Sequence, residues 1–306
     1  MTQALEVAGA AKSFGETKAL AGASFAVRQG ELVGLLGPNG AGKTTMIKAI
    51  AGRVELDAGS ISLFGREVKR KDKRPDLGVV PQELAVYKLL TARENLEAFG
   101  ALYGVSGPAL KERVNWALEW SGLADRAKEP VKKFSGGMQR RLNIACSLIH
   151  KPRILLLDEP TVGVDPQSRE RIYDMLAVLK REGVSVVLTT HHLEEAERRC
   201  ERVVIIDHGR IVASGTTAEL VTQALGATRV LAVHLAEPHA ENAELADGWT
   251  SDESRSTLRV TVKDLVVDVP RRLAEAAGLG AVREMNVTGA SLQDVFIALT
   301  GRELRE

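Results

Sequence analysis

The chain has 306 residues, 44% of them hydrophobic and 26% charged, which is typical of a globular protein large enough for two domains. Its 41 basic and 40 acidic residues give a net charge of +1, so no overall field favours nucleic acid and we expect no such partner. No apolar run reaches the roughly 20 residues of a membrane-spanning helix, so we expect membrane contact only through a partner. The first ten residues lack the pattern of a signal peptide.

The two cysteines, Cys146 and Cys200, cannot make a disulfide framework, and no Cys/His cluster has the spacing of a zinc site. We expect both to be small buried hydrophobic side chains in a reducing cytosol. The sequence therefore predicts neither a disulfide scaffold nor a zinc site.

Up to about Leu220 the sequence alternates short apolar runs with longer helical patterns. The runs are nearly continuous in Val, Ile and Leu, as in strands that are buried on both faces of a parallel sheet. They are ELVGLLG, RILLLD, VSVVLTT and RVVIID. This order predicts an α/β fold with a parallel sheet.

The first run leads into Gly37-x-x-x-x-Gly42-Lys43-Thr44, between a strand and a helix, as a phosphate-binding loop requires. Glycines let main-chain N–H groups turn toward an anion, and the helix adds its positive end. Lys43 would neutralise the β- and γ-phosphates, Thr44 would hold Mg²⁺ and Thr45 would reach the α-phosphate. The alternative, an ordinary glycine-rich turn, is disfavoured by the strand–helix context. The predicted phosphate-binding set is Gly37, Pro38, Asn39, Gly40, Ala41, Gly42, Lys43, Thr44 and Thr45.

The next part of the chain changes character. The charged run KRKDKR at 69–74 predicts a solvated loop, with a membrane-surface role as the alternative. Residues from about 86 to 133 contain no convincing strand, and we expect a helical subdomain at about 86–150. Within it, Thr91-x-x-Glu94 is a capping box that marks the start of a helix.

A second glycine-rich helix start lies in FSGGMQ. The Ser135 hydroxyl and the amides of Gly136 and Gly137 would make another anion site. Arg140 and Arg141 follow where the helix dipole disfavours cations, so we expect them to face a partner, an acid or solvent. One chain could hardly place this site and the first loop around one nucleotide. Two chains arranged head to tail could, burying two ATP molecules at their interface.

Two carboxylates end the strand ILLLDEP. Because ligands of open α/β sheets meet the carboxyl ends of the strands, Asp158 would hold the Mg²⁺ shell. Glu159 would polarise a water for in-line attack on the γ-phosphate. The alternative is a pair of helix-capping acids, which the phosphate loop makes less attractive.

From about residue 227 the pattern becomes α+β. TRVLAVHLAE and STLRVTVKD alternate as strands with one solvated face do, and VREMNV suggests another strand. VPRRLAEAAG reads as a short helix, and a last helix starts at Ser291-x-x-Asp294 and stops at Gly301. We expect a small C-terminal domain in which no catalytic set is visible.

Several motifs, in order, resemble those of the ATP-binding cassette (ABC) ATPases. They are GPNGAGKT for the Walker A loop, VVPQE for the Q-loop, FSGGMQ for the signature, ILLLDE for Walker B, VGVD for the D-loop and TTHH for the switch histidine. The resemblance covers about residues 4–220 and implies a head-to-tail dimer around ATP. Phe134 and Val164 stand where leucine is usual, and neither change removes a polar group that the chemistry needs.

The resemblance implies further roles. Phe14 matches the aromatic that stacks on adenine, and Gln82 matches the glutamine that touches Mg²⁺ and the attacking water while it senses the membrane partner. Asp165 matches the residue that links the two nucleotide sites, and His191 matches the histidine that contacts the γ-phosphate. The alternatives are a core position for Phe14 and a helix cap for His191. The implied catalytic set is Lys43, Gln82, Glu159 and His191, and the implied metal ligands are Thr44, Gln82 and Asp158.

The implied fold is a P-loop NTPase with a RecA-like parallel sheet and a helical subdomain. We expect the ATPase domain at residues 1–225 and an accessory α+β domain at 226–306. The ending SLQDVFIALTGRELRE resembles ATPases of ABC-2 type export systems, including the daunorubicin-exporter and nodulation-factor-exporter groups. The implied partners are a second copy of the chain and a separate multispan permease, in two copies, on the cytoplasmic face of the bacterial inner membrane.

Two other functions stay open from the sequence. One is a soluble ABC ATPase that acts on DNA, ribosomes or cofactor assembly, although the chain has one phosphate loop and no sustained heptads. The other is a regulatory subunit that binds ATP and barely hydrolyses it, which the presence of Glu159 and His191 argues against.

Overall fold

The computed structural model describes residues 2–226 and 229–301. It divides between Thr216 and Thr217 into two compact units, which we call the N-terminal unit and the C-terminal unit. The strands of the N-terminal unit are β1 (Gln3–Phe14), β2 (Thr17–Arg28), β3 (Leu32–Leu36), β4 (Ala58–Leu63), β5 (Arg66–Glu67), β6 (Leu77–Val80), β7 (Ile154–Leu157), β8 (Ser185–Thr190), β9 (Arg202–Asp207) and β10 (Arg210–Gly215). Its α-helices are α1 (Lys43–Ile50), α2 (Ala92–Leu102), α3 (Gly107–Trp120), α4 (Gly136–Leu148), α5 (Pro166–Arg181) and α6 (Leu193–Arg199).

A six-stranded sheet forms the centre of the N-terminal unit, in the order β10-β9-β3-β8-β7-β6. The strands from β9 to β6 run parallel, and β10 pairs antiparallel with β9. Every residue of β3, β7 and β8 is buried, because helices or a second sheet cover both faces. The parallel arrangement brings the loops after β3, β6, β7 and β8 to one edge of the sheet.

A second sheet of the N-terminal unit, in the order β2-β1-β4-β5, is antiparallel and was not foreseen from the sequence. Its long strands carry register shifts and several alanines, which weaken the alternation that marks a strand in a sequence. Phe14 pairs with Thr17 across the turn between β1 and β2. This hairpin therefore brings the start of β2 next to the predicted adenine-binding aromatic.

The segment between β6 and β7 contains α2, α3, α4 and two short 3₁₀ turns at Ala124–Arg126 and Val131–Lys133. These elements share an apolar cluster that includes Leu96, Leu118 and Leu142. The predicted capping box at the start of α2 is confirmed. The Thr91 hydroxyl accepts from the Glu94 amide at 3.2 Å, and the Glu94 carboxylate accepts from the Thr91 amide at 2.8 Å.

The basic run at 69–74 is a loop, but not a wholly solvated one. The Arg74 guanidinium donates to the main-chain oxygens of Lys69, Arg70 and Asp72 at 2.8–3.3 Å, while the lysines of the run remain exposed. The predicted loop and its exposed lysines are confirmed, whereas the half-buried Arg74 holds the loop together from inside.

The C-terminal unit is an antiparallel sheet, in the order β12-β13-β11-β14, with helices packed on it. The predicted Ser291–Asp294 capping box and the stop at Gly301, where φ is +71°, are confirmed. Residues 302–306 of the predicted export-type ending lie outside the described part of the chain. The elements are α7 (Thr217–Leu225), β11 (Arg229–Leu235), β12 (Thr250–Ser251), β13 (Thr257–Val262), α8 (Asp268–Ala277), β14 (Val282–Gly289) and α9 (Leu292–Thr300).

The C-terminal unit begins at Thr217 because α7 packs against α9. Its core is a separate apolar cluster that includes Leu231, Leu258 and Val260. The two compact units thus divide before the expected domain boundary between residues 225 and 226, and the functions expected of the two domains remain predictions.

Candidate nucleotide-binding site

The loop after β3 is shaped by close approaches of the main chain. A Cβ on Gly37 would lie 2.2 Å from the Ile206 oxygen, and one on Gly42 would lie 2.4 Å from the Ala19 oxygen. Gly42 is also the N-cap of α1 and has a φ of +106°, a backbone conformation that residues with a Cβ rarely adopt. Glycine is therefore required at both positions by the protein's own packing.

Lys43 opens α1 and is buried, with 5% of its surface exposed. Its Nζ donates to the main-chain oxygens of Gly37 at 2.7 Å and Pro38 at 3.0 Å, and lies 3.6 Å from Glu159 Oε1. Burial lowers the pKa of Lys43, and the Glu159 and Asp158 carboxylates oppose that shift. The loop therefore holds one cation beside two acids.

Asp158 follows β7 and is 3% exposed. Its Oδ1 accepts from the Thr44 hydroxyl at 3.2 Å and from the Thr189 hydroxyl at 2.8 Å. Thr44 and Asp158, two of the three predicted metal ligands, thus place hard oxygen atoms side by side, while the third, Gln82, donates its Nε2 to Glu159. Within residues 2–226 and 229–301 no group of three or more His, Cys, Asp or Glu side chains could hold a metal by itself.

Glu159 lies at the centre of the site. Its carboxylate accepts from Gln82 Nε2 at 2.9 Å, and His191 Nδ1 lies 3.1 Å from Oε1, the distance of an N–H that donates to it. The Glu159 amide donates to the Thr189 hydroxyl at 2.9 Å. Its φ of +47° is uncommon for a residue with a side chain and turns the chain sharply after Asp158. The four residues predicted to be catalytic, Lys43, Gln82, Glu159 and His191, therefore meet in the folded chain.

A cleft of about 220 Å³ opens beside this cluster. Gly37, Pro38 and Ala41, which were predicted to bind phosphate, do not line the cleft. Phe14 lies outside the lining and is 52% exposed, with Lys12 Nζ 5.6 Å from its ring centre. The lining residues are Thr17, Ala19, Asn39, Gly40, Gly42, Lys43, Thr44, Thr45, Gln82 and Glu159.

The predicted second anion site lies apart from this cleft in the chain's own fold. Ser135 caps α4, where its hydroxyl accepts from the Met138 amide at 3.3 Å. A Cβ on Gly136 would meet nothing within 4 Å, whereas one on Gly137 would lie 2.1 Å from Ser168 Oγ. Gly137 is therefore small because α4 packs against the start of α5, and Gly136 is the glycine left open.

Asp165 caps α5, since its Oδ1 accepts from the Ser168 amide at 2.9 Å. These hydrogen bonds lower the pKa of Asp165. The turn that Asp165 caps therefore packs against the turn at residues 135–137, with Ser168 against Gly137.

Known proteins match this chain over nearly its whole length. The sequence model of the ABC transporter family matches residues 20–162. Linearmycin resistance ATP-binding protein LnrL of Bacillus subtilis is 37% identical over 96% of this chain and 97% of that protein. Nod factor export ATP-binding protein I of Ralstonia nicotianae is 39% identical over 100% of this chain and 96% of that protein. The chain belongs to the ABC transporter family.

A third relative is the daunorubicin/doxorubicin resistance ATP-binding protein DrrA of Streptomyces peucetius, which is 37% identical over 98% of this chain and 93% of that protein. A solved ATP-binding subunit of an ABC transporter has a TM-score of 0.65 and 32% identity, covering 72% of this chain and 92% of that one. A dimeric ATP-binding cassette bound to ADP and Pi has a TM-score of 0.63 and 28% identity, covering 69% and 98%. The predicted family and fold class are confirmed, and ATP is the nucleotide of this ABC cassette.

The ABC cassette uses Arg140 and Arg141 in a way that sequence reasoning missed. Arg140 is buried and donates to the main-chain oxygens of Pro81 at 3.2 Å and Gln82 at 2.8 Å. Arg141 donates to the main-chain oxygens of Ser121 and Gly122. The expectation that both face a partner, an acid or solvent is wrong, because main-chain oxygens of two loops of the same chain accept from both guanidinium groups.

The sequence reasoning also missed Thr189 and the two cleft residues on β2, Thr17 and Ala19. Thr189 bridges Asp158 and the Glu159 amide, and its hydroxyl at the tip of β8 was the available signal. The β2 residues could have been found only from the hairpin that pairs Phe14 with Thr17. No helix in the described part of the ABC cassette is long and apolar enough to cross a membrane.

Proposed function

We propose that this cassette hydrolyses Mg²⁺-bound ATP and that the cycle powers export through a separate membrane permease. The observation that carries the hydrolysis is the position of Glu159. One buried carboxylate lies within 3.6 Å of polar atoms of Lys43, Gln82 and His191, next to a cleft bounded by the glycine-rich loop. That is the arrangement a general base for water needs beside a bound phosphate.

The phosphates would lie along residues 37–45, where main-chain N–H groups and the N-terminus of α1 favour negative charge. Lys43 would neutralise the β- and γ-phosphates, and Thr45 would reach the α-phosphate. Phe14, which is half exposed beside the cleft residue Thr17, would stack on adenine.

Thr44, Asp158 and Gln82 would hold Mg²⁺. Two adjacent protein oxygens, with no cluster of three or more acids, histidines or cysteines able to hold a metal in the described part of the chain, suit this ion, which keeps several waters and shares the phosphates of its substrate. When bound, the ion would neutralise charge on the phosphates. Glu159 would accept the proton of the attacking water, and His191 would contact the γ-phosphate.

We propose that the working form is a head-to-tail dimer. Ser135, Gly136 and Gly137 do not line the cleft of their own chain, and Gly136 is open. A second copy would bring its Ser135 turn onto the γ-phosphate, and Asp165 would link the two sites. A solved cassette that is dimeric with bound ADP and Pi supports the proposal of a dimer.

Export is favoured by the relatives, whose names refer to linearmycin resistance, Nod factor export and daunorubicin/doxorubicin resistance. Identity to them extends through the C-terminal unit. These relatives favour export over a soluble, non-transport ABC ATPase. We propose that the chain works at the cytoplasmic face of the membrane.

The permease would dock on the segment after Gln82. Large apolar side chains are exposed there in close sequence, with Leu89 80% and Leu102 72% exposed. Tyr87 and Tyr103 are also exposed, at 50% and 44%. Exposed apolar side chains grouped in one segment suit contact with a helix of the permease. Two permease copies would dock, one on each cassette of the dimer.

The test is the Glu159→Gln variant, with Glu182→Gln at the exposed end of α5 as the matched control. Glutamine keeps the size and can still accept one hydrogen bond, but it cannot take the proton of water. We expect hydrolysis to fall by about 100-fold or more, with ATP binding retained and an ATP-dependent dimer accumulating in size-exclusion chromatography. Full turnover in Glu159→Gln, or turnover by a persistent monomer, would contradict the proposal.

A further inference from the structure

Behind the switch histidine lies a carboxylate that the mechanism does not use. Glu195 is on α6, which follows His192, and only 7% of its surface is exposed. Burying a carboxylate costs free energy unless hydrogen bonds or an opposite charge compensate it. All of them lie within the N-terminal unit.

One carboxylate oxygen of Glu195 connects the loops after two strands. Oε2 accepts from the Thr161 hydroxyl, two residues after Glu159, at 2.9 Å. It also accepts from the Thr190 hydroxyl, one residue before His191, at 3.1 Å. The Thr190 hydroxyl in turn accepts from the His192 amide at 3.0 Å. The carboxylate therefore holds Thr190 directly, and the Thr190 hydroxyl in turn holds the His192 amide on the other side of His191.

The other oxygen faces α5. Oε1 lies 3.4 Å from Arg169 Nε, and neither atom has a hydrogen-bond partner among the described residues. The Arg169 amide donates to the Asp165 main-chain oxygen at 2.9 Å, in the turn that also packs Ser168 against Gly137. This charge pair is close enough to attract strongly, but it lacks hydrogen-bond geometry. A small shift of the start of α5 would therefore strengthen or break it.

We propose that Glu195 is a positioning residue that ties the Asp165 turn to the His191 loop. Contact of a second subunit at Gly136 or Asp165 would move the start of α5, and Glu195 would pass that movement to Thr190 and Thr161. The second subunit would then adjust how His191 and Glu159, which already meet in the single chain, lie toward the bound phosphate. The inference rests on the proposed ATPase dimer and adds a residue to it.

The test compares steady-state ATP hydrolysis by Glu195→Ala and Glu195→Gln in the full chain. Glu194→Ala, an exposed acid on the same helix, is the matched control. Alanine removes both hydroxyl bonds and the charge, so we expect kcat to fall by about 10- to 100-fold while KM for ATP changes by about twofold or less. Glutamine keeps an acceptor for both hydroxyls but loses the charge pair with Arg169, so we expect only part of the lost kcat to return.

A merely structural role for Glu195 makes a different prediction. It would lower the melting temperature and the active fraction together, and Glu195→Gln would not restore kcat selectively. Wild-type kcat in a folded Glu195→Ala variant, or a fall in kcat that matches the loss of folded protein, would overturn the inference. Absence of hydrolysis by the wild-type chain would instead refute the proposed function.

The nearly isosteric variant Thr161→Val decides the question if Glu195→Ala does not fold. It removes one hydroxyl bond to Glu195 and leaves the shape of the loop nearly unchanged. We expect its kcat to fall by about 3- to 10-fold at unchanged KM, since a single hydrogen bond to a charged group is lost. Wild-type kcat in this variant would overturn the inference.

Discussion

At the scale of single residues, the neighbouring glycines Gly136 and Gly137 lie in different surroundings. Gly137 is packed against Ser168 of its own chain, whereas Gly136 faces open space. Packing within one chain therefore explains Gly137 and leaves Gly136 to be explained by something outside the chain. The proposed dimer supplies that explanation, because a phosphate must approach the amide of Gly136 closely.

Alanine substitution separates the two glycines. Gly137→Ala should destabilise the N-terminal unit by about 1–3 kcal/mol, since its Cβ forces Ser168 away. Gly136→Ala should leave the free energy of unfolding within about 1 kcal/mol of wild type or raise it, because alanine favours a helix. Yet Gly136→Ala should lower ATP hydrolysis about tenfold if a phosphate approaches this amide. Urea unfolding and an ATPase assay measure both effects, and wild-type hydrolysis in Gly136→Ala would contradict the phosphate role.

A second residue-scale prediction concerns pH. Burial raises the pKa of Glu31, but hydrogen bonds from Arg202 and the Arg28 amide and the charge of Arg202 outweigh it, so the pKa is lowered. A lowered folded-state pKa means that Glu31 stabilises the fold above its unfolded pKa, and that this contribution is lost as pH falls through the folded value. Glu31→Gln should therefore cost about 1–3 kcal/mol at pH 7 and less below about pH 4.5.

Denaturant unfolding of the wild type and Glu31→Gln at pH 7 and pH 4 measures this difference. Glu6→Gln, an exposed acid on β1, is the control and should show little change at either pH. A Glu31→Gln penalty that grows toward low pH would have the wrong sign and would exclude the assigned ion pair with Arg202.

At the scale of elements, α4 connects the signature turn to the Q-loop. Arg140 donates to the main-chain oxygens of Pro81 and Gln82, directly beside the glutamine that contacts Glu159. Arg141, the next residue, donates instead to Ser121 and Gly122 after α3. One helix therefore holds the site on one side and the helical segment on the other.

This arrangement predicts different losses for two adjacent arginines. Arg140→Met should destabilise the fold by about 2–4 kcal/mol and lower kcat per folded molecule, because Gln82 loses its support. Arg141→Met should destabilise the fold by about 1–3 kcal/mol and leave kcat per folded molecule unchanged, since its carbonyls lie after α3. Chemical denaturation and an ATPase assay normalised to folded protein compare them. Equal effects on kcat would remove the proposed link to the Q-loop.

At the scale of the whole molecule, the nucleotide site and its supporting contacts belong to one compact unit. The cleft residues, from Thr17 to Glu159, and the apolar clusters beneath them lie before Thr217. The C-terminal unit has its own sheet and its own core. We therefore expect ATP binding to depend on the first unit alone.

A chain that ends at Thr216 should fold cooperatively and bind ATP. At an ATP concentration about 100 times the Kd, binding contributes about 2.7 kcal/mol, which raises the melting temperature by about 5–10 °C. Lys43→Ala in the same shortened chain is the control and should lose most of this shift. Aggregation would mean that the first unit does not fold by itself, and a folded shortened chain with no ATP-dependent shift in calorimetry would mean that ATP binding needs the C-terminal unit.

Local patterns were sufficient for much of this protein. The phosphate loop, the acids after β7, the buried parallel strands and both capping boxes depend on residues close together in the chain, so the sequence alone predicted them. The motif resemblance also identified the ABC family, which the relatives confirm. Each of these features can be predicted from the types and spacing of a few neighbouring residues.

Only the folded chain decided which distant groups meet. Glu159 meets Gln82 from 77 positions before it and His191 from 32 positions after it. The antiparallel sheet of β1 and β2, the burial of Arg140 and the packing of Gly137 on Ser168 were likewise hidden in the sequence. The physical reason is that such contacts depend on sheet order and on how helices pack over it, and neither leaves a periodic signal in the chain.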